Sequence, residues 1–210
     1  MKKAVFVDFD GTITKVDTCD AMLKAFTGDG REEINRLWEE KKLSTEECAN
    51  MIFRQFHACP EDIENLMGII EIDGHFKEFL ELCRARGHEV YVLSDGYDFN
   101  IKTVFKKHNI NARYFANKLL YEPEKGFGIE CIYRNESCGN CGTCKTNLIQ
   151  ALKRDCGQVV YIGDGYSDIC PAAIADIVFA KGILFKLCAE KGINAINFSS
   201  FADIIASGLI

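Results

Sequence analysis

The chain has 210 residues, is 48% apolar, and sets 25 Lys plus Arg against 31 Asp plus Glu for a net charge of −6. So much apolar content excludes a disordered chain and suits one large domain, or a domain with a small insert. No basic tract is present, which argues against nucleic acid or an anionic membrane as partner but leaves room for a small anionic substrate.

Ala4-Val-Phe-Val7 reads as a buried strand running into the acidic turn Asp8-Phe9-Asp10-Gly11. Before it, Met1-Lys2-Lys3 and a short apolar run do not make a secretory signal, and no stretch approaches membrane-spanning length. The expectation is a cytoplasmic protein with no membrane partner. The next stretch carries no strand signal. Ile34, Leu37 and Trp38 pattern a helix, Ser44-Thr-Glu-Glu47 is a capping box, and Cys59-Pro60-Glu61-Asp62 starts another helix. This surplus reads as an inserted helical cap over 15–72, leaving 1–14 and 73–210 as the core.

Phe76, Phe79, Leu80 and Cys83 then make a helical stripe stopped by Gly87. Glu89-Val-Tyr-Val-Leu93 is a second strand, ending at Ser94-Asp95-Gly96, and Ile101, Val104, Phe105 and His108 mark the helix behind it. Lys118–Tyr121 and Phe127–Ile132 flank Glu122-Pro-Glu-Lys-Gly126 as a β-hairpin. Leu148, Ile149 and Leu152 give a short helix. Gln158–Ile162 is a third strand before Gly163-Asp164-Gly165-Tyr-Ser-Asp168, and Ala175–Ala180 a weaker fourth. Strands alternating with helices predict an α/β fold: a doubly wound, Rossmann-like parallel sheet with an inserted α-helical cap and a small hairpin.

Alternate residues of a strand share a face, so Asp8 and Asp10 point one way and Phe9 the other. Paired carboxylates are costly without a cation between them, and carboxyl ends of parallel strands are where open α/β sheets bind ligands. Asp164 and Asp168 join that rim if their strand neighbours the first. Three or four carboxylates call for a hard divalent cation, Mg²⁺ by preference. The turns at Gly11-Thr12 and at Ser94-Asp95-Gly96 add N–H groups for a phosphate. Together these are the parts of a phosphoryl-transfer site. Asp8 is the candidate nucleophile, forming an aspartyl-phosphate. Asp10 is the acid that protonates the leaving oxygen and the base on the hydrolytic water.

Asp8-Phe-Asp-Gly-Thr-Ile-Thr14, Ser94-Asp-Gly96 and Gly163-Asp-Gly-x-x-Asp168 resemble the motifs of the haloacid dehalogenase superfamily of phosphatases, across the whole chain. That resemblance implies Mg²⁺ on Asp8, the Asp10 carbonyl and Asp164, with Asp168 orienting its waters. It also implies phosphate on Ser94 and on a lysine, for which Lys145 is the candidate. A cap between the first two motifs is similar to the phosphoserine phosphatase branch. Asp17 and Cys141-Gly-Thr-Cys-Lys145 look closest to two groups: the methionine-salvage phosphatases acting on a hydroxy-keto-methylthiopentenyl phosphate, and the phosphocholine/phosphoethanolamine phosphatases.

Substrate choice is expected from the cap, with Asp17 and Thr18 at its start and Arg54 on a helix as candidates. The chain holds 11 cysteines. Cys131, Cys138, Cys141 and Cys144 have the spacing of a Zn²⁺ or iron–sulfur site, or are reduced thiols packed in a turn. Cys19, Cys48, Cys59, Cys83, Cys156, Cys170 and Cys188 read as small core residues. The resulting expectation is a phosphatase acting on a small phosphorylated metabolite (the methionine-salvage enol phosphate, phosphoserine, or phosphocholine/phosphoethanolamine), as a monomer or homodimer. The alternatives are a phosphomutase or phosphotransferase of the same fold, and a cysteine-metal protein with a vestigial site.

Overall fold

A computed structural model describes residues 1–27, 31–137, 139–153 and 156–210. Strand β1 (Lys3–Val7) lies in the middle of a sheet, and helices α1 (Thr18–Phe26), α2 (Arg31–Glu39), α3 (Thr45–Phe53) and α4 (Pro60–Ile69) follow it. Next come α5 (Phe76–Ala85), β2 (Glu89–Tyr97), α6 (Asp98–Lys107), β3 (Arg113–Glu122), β4 (Gly126–Glu130) and α7 (Lys145–Leu152). The chain then runs through β5 (Gln158–Gly163), α8 (Ile169–Ala172), β6 (Ile177–Ala180), α9 (Gly182–Glu190), β7 (Ile196–Asn197) and α10 (Phe201–Ala206).

The strands order as β4-β3-β2-β1-β5-β6-β7, parallel except for the antiparallel β3–β4 pair. β1 pairs with β2 on one side and with β5 on the other, so the chain reverses its direction of winding beside β1. That switch point leaves a crevice at the carboxyl ends of these three strands. Each face of the sheet is covered, which is why the strands read as continuous apolar runs. Val5, Val7, Val92, Val160 and Ile162 pack with Phe9, Phe76, Phe79, Phe105 and Phe201 on one side. Ala4, Phe6, Tyr91, Leu93 and Tyr161 pack with Ile149, Leu184 and Cys188 on the other.

Ser44 caps α3, with the Glu47 side chain returning to the Ser44 N–H, and Pro60 opens α4, as their spacing predicts. Three features depart from expectation. The hairpin is not separate from the sheet, because β3 pairs in parallel with β2 through Arg113–Phe115 before turning antiparallel against β4. The mixed polar sequence Arg113–Asn117 hides that first half. The short edge strand β7 and helices α8 to α10 carry no signal that the sequence reading used. Lastly, the scattered cysteines are not uniformly core. Cys48, Cys83 and Cys188 are buried, but Cys170 is exposed, and Cys19, Cys59 and Cys156 are half-buried.

Candidate active site

β1 ends at Val7, and the Asp8 N–H still donates to the Ile162 carbonyl at 2.8 Å, holding Asp8 in register with β5. The chain then turns, with Ile13 N and Thr14 N both donating to the Phe9 carbonyl. Phe9 is buried edge-on against Phe105, so Asp8 and Asp10 are left facing the crevice. Gly11 adopts φ 72°, and a Cβ there would stand 2.4 Å from Asp164 Oδ2. Glycine thus lets the first and third acidic turns meet. Thr12 Oγ1 donates to Asp164 Oδ1 at 2.6 Å, tying the two turns together.

Lys145, the first residue of α7, is buried between carboxylates. Its Nζ is 2.5 Å from Asp8 Oδ1 and 2.6 Å from Asp168 Oδ1. Asp168 has every oxygen engaged: Tyr161 OH also donates to Oδ1, and the N–H groups of Asp164 and Gly165 donate to Oδ2 at 3.0 Å. It therefore anchors Lys145 and the third turn. Tyr161 went unnoticed in the sequence, where it is one more apolar strand residue.

Burial pushes the Asp8 carboxyl well above its usual range, and Asp168 adds to that while Lys145 opposes it. For Lys145, burial works against the ammonium, but Asp168 and Asp8 outweigh it and hold it charged. Asp164 is pushed up to about 6, by burial and then by Asp168, against the Thr12 hydrogen bond. Lys145 thus faces two buried carboxylates, with the half-buried Asp164 beside them. The oxygens of Asp8, Asp164 and Asp168 lie within 4.8 Å of one another, an all-oxygen set that fits a hard divalent cation.

Asp10 is held by three donors. Thr18 N and Thr18 Oγ1 reach Oδ1, and Ser94 Oγ reaches Oδ2 at 3.0 Å. Gly96 N donates to Ser94 Oγ at 2.8 Å. Asp95, expected beside the phosphate, has a carboxylate committed elsewhere. It accepts from Thr45 Oγ1 at 2.6 Å and from Thr143 N at 2.7 Å, while Asn117 Nδ2 donates to the Asp95 carbonyl at 2.7 Å. Burial raises Asp95, and these donors oppose the shift. Its side chain pins the start of α3 to the end of β2, so any phosphate contact falls to its N–H. Thr45, Asn117 and Thr143 are functional neighbours that sequence reasoning missed. Only the capping box beside Thr45 hinted at one of them.

Above the acids lies a cavity of about 450 Å³. Asp8, Asp10, Asp95, Gly96 and Asp164 form its floor, while Met22, Trp38, Ile52, Phe53 and Phe56 supply an apolar wall. Asp17 caps α1 by accepting from Asp20 N at 2.8 Å and stands at the rim with Asp20 and Glu39. Arg54 is a correction: it follows α3 as its exposed C-cap and does not line the cavity. The turn at Phe53 buries that side chain and carries its successor outward. Among the described residues, Cys131, Cys141 and Cys144 do not converge as a set of three metal ligands, and Cys138 lies outside the described residues. Cys144 is instead the buried N-cap of α7, its N–H bonded to the Tyr133 carbonyl.

Residues 3–181 match the family described as "Putative Phosphatase". The chain belongs to this family. Among its relatives, the 2-hydroxy-3-keto-5-methylthiopentenyl-1-phosphate phosphatase of Bacillus cereus (strain G9842) is 32% identical over 213 residues, spanning 97% of this chain and 94% of that protein. The enzyme of the same name from Lysinibacillus sphaericus (strain C3-41) is 28% identical over 98% of this chain and 93% of its own. The fold of this phosphatase is that of the phosphoserine phosphatases. A substrate-bound phosphoserine phosphatase complex superposes with a TM-score of 0.73 at 22% identity, covering 99% and 98% of the two chains. A phospho-aspartyl intermediate analogue of phosphoserine phosphatase gives 0.73 at 23% identity, covering 98% of each.

Proposed function

We propose that this phosphatase hydrolyses a small phosphomonoester through a phosphorylated Asp8, and that its substrate is of the 2-hydroxy-3-keto-5-methylthiopentenyl phosphate kind. The observation that carries the chemistry is the convergence of Asp8, Asp10, Ser94, Lys145, Asp164 and Asp168 beneath one cavity at the switch point.

Lys145 and the N–H groups at Thr12 and Asp95 hold the phosphoryl oxygens, while the N–H groups of Gly11 and Gly96, expected on the phosphate, go to Thr14 Oγ1 and Ser94 Oγ, and Ser94 orients Asp10 beside them. An Asp8 carboxylate oxygen attacks phosphorus, and its new P–O bond forms as the ester P–O bond breaks. Asp10 gives a proton to the departing oxygen. The same carboxylate then takes a proton from a water, whose oxygen attacks phosphorus. Inorganic phosphate leaves, and the Asp8 carboxylate is regenerated. Asp8, Asp164 and the Asp10 carbonyl would hold Mg²⁺, with Asp168 behind them. When bound it supplies charge neutralisation for Asp8 and a phosphoryl oxygen.

Residues 15–72 act as the cap. Their apolar wall of Met22, Ile52, Phe53 and Phe56 suits an uncharged thioether tail. The acids Asp17, Asp20 and Glu39 at the rim repel a substrate carboxylate but attract an ammonium, so the apolar wall carries the choice. The relatives' shared name supports the same choice.

The test is phosphate release from the methylthiopentenyl phosphate, phosphoserine, phosphocholine, phosphoethanolamine and pyrophosphate, with Mg²⁺ and with EDTA. Highest kcat/KM on the first ester, lost in EDTA and restored by Mg²⁺, is the expected result. Preference for phosphoserine would overturn the substrate assignment, and full activity in EDTA would overturn the cation's part.

A further inference from the structure

Asn100 lies in the first turn of α6 with no exposed surface. Its Nδ2 donates to Thr18 Oγ1 at 3.0 Å and lies 3.1 Å from Met22 Sδ. Its Oδ1 is buried with no hydrogen-bond partner among the described residues. An amide with one idle end is less stable at such a place than an apolar side chain of the same size. Packing alone therefore does not account for it.

The direction of the hydrogen bonds does. Asp10 Oδ1 already accepts from Thr18 N, and the proton that Asp10 transfers belongs on Oδ2, so Oδ1 is an acceptor and the Thr18 hydroxyl donates to it. The lone pairs of Thr18 Oγ1 then take a donor, which the Nδ2 end of Asn100 provides and its Oδ1 end could not. Turned over, the amide would draw the Thr18 proton to itself and take it from Asp10. The idle Oδ1 follows from this choice.

Asp10 Oδ1 is consequently fixed by two donors on Thr18, its N–H at 2.9 Å and its hydroxyl. Oδ2 meets Ser94 Oγ, which already accepts from Gly96 N and can rotate its own hydrogen away. We propose that Asn100 is a positioning residue for proton transfer: acting through Thr18, it clamps Oδ1 of Asp10 so that Oδ2 is presented to the leaving oxygen and then to the water. This rests on the reading of Asp10 as acid and base given above.

A proton donor matters only when the leaving group needs one. p-Nitrophenolate departs unprotonated, whereas an alkoxide does not. The experiment measures kcat/KM, which covers the steps through the first phosphoryl transfer, on p-nitrophenyl phosphate and on a simple alkyl phosphate. For Asn100→Leu the alkyl ester should lose about tenfold more than the aryl ester. Thr18→Val should show the same selective loss, and adding Asn100→Leu to it should cost no more, because the two act in series. Equal losses on both esters, or full additivity in the double variant, would overturn the role of Asn100. Asp10→Asn serves as the reference. If it too lacks the selective loss, the reading of Asp10 fails; if it shows the loss and Asn100→Leu does not, only the present inference fails. Should Asn100→Leu not fold, Asn100→Asp keeps the shape but offers Thr18 an acceptor, which turns the hydroxyl from Asp10. The same selective loss is then expected, and equal losses overturn the proposal.

Discussion

Gly96 leaves the space into which Asp10 reaches. A Cβ there would stand 2.7 Å from Asp10 Oδ2 and 3.1 Å from Ser94 Oγ, closer than either can accept without moving. Displacing a catalytic carboxylate by a fraction of an ångström is expensive, since proton transfer needs hydrogen-bond reach. Gly96→Ala should therefore lower kcat by at least about tenfold, with the thermal midpoint changed by no more than a few degrees. Steady-state rates and a melting curve check it, and an unchanged kcat would show that Asp10 does not depend on this approach. Asp8 and Asp10 were legible because a strand's alternation puts both on one face. Asn100 and Tyr161 were not, because each looks like an ordinary member of a buried element until its partner's position is known.

At the scale of elements, capping was the readable part. Ser44 with Glu47, and Cys59 with Pro60 and Asp62, start α3 and α4 where their spacing predicts. The Ser200–Asp203 box that starts α10 follows the same rule but escaped notice beside a short helix. The N–H groups of Ser199 and Ser200 hold the Asp203 carboxyl below its usual range. A carboxyl lowered by folding stabilises the folded state above its unfolded pKa. That contribution disappears as pH falls through the folded value. Urea unfolding of wild type and Asp203→Asn should thus differ at neutral pH and converge in acid below the usual carboxylate range. A gap that stayed constant with pH would rule out the cap as its source. β3 was half hidden because its parallel portion, Arg113–Asn117, mixes polar residues with aromatics, while the hairpin half carries a turn signal.

Across the whole molecule, the helices between β1 and α5 share a hydrophobic cluster with the core and add a few directed contacts to it. Thr45 Oγ1 donates to Asp95 while accepting from Trp38 Nε1 at 3.0 Å, Thr45 N donates to the Asn140 carbonyl, and Arg134 pairs with Glu46 at 2.8 Å. Asp95 sits one residue from Ser94, so this join lies beside the proposed phosphate position. Thr45→Val removes one donor from a buried carboxylate and should raise KM several-fold with a smaller change in kcat; a change confined to kcat would place Thr45 in the chemistry instead. The sequence pointed to a surplus helical segment, expected to choose the substrate. It did not show which residues join it to the core, because Thr45 and Asp95 are 50 positions apart and paired only by the fold. The most direct test of the account concerns Asp8 itself. Enzyme mixed with phosphorus-labelled substrate and quenched in acid within a turnover should carry hydroxylamine-labile label on the peptide containing Asp8, and Asp8→Asn should carry none. Label on another residue, or turnover with no labelled enzyme at any quench time, would contradict it.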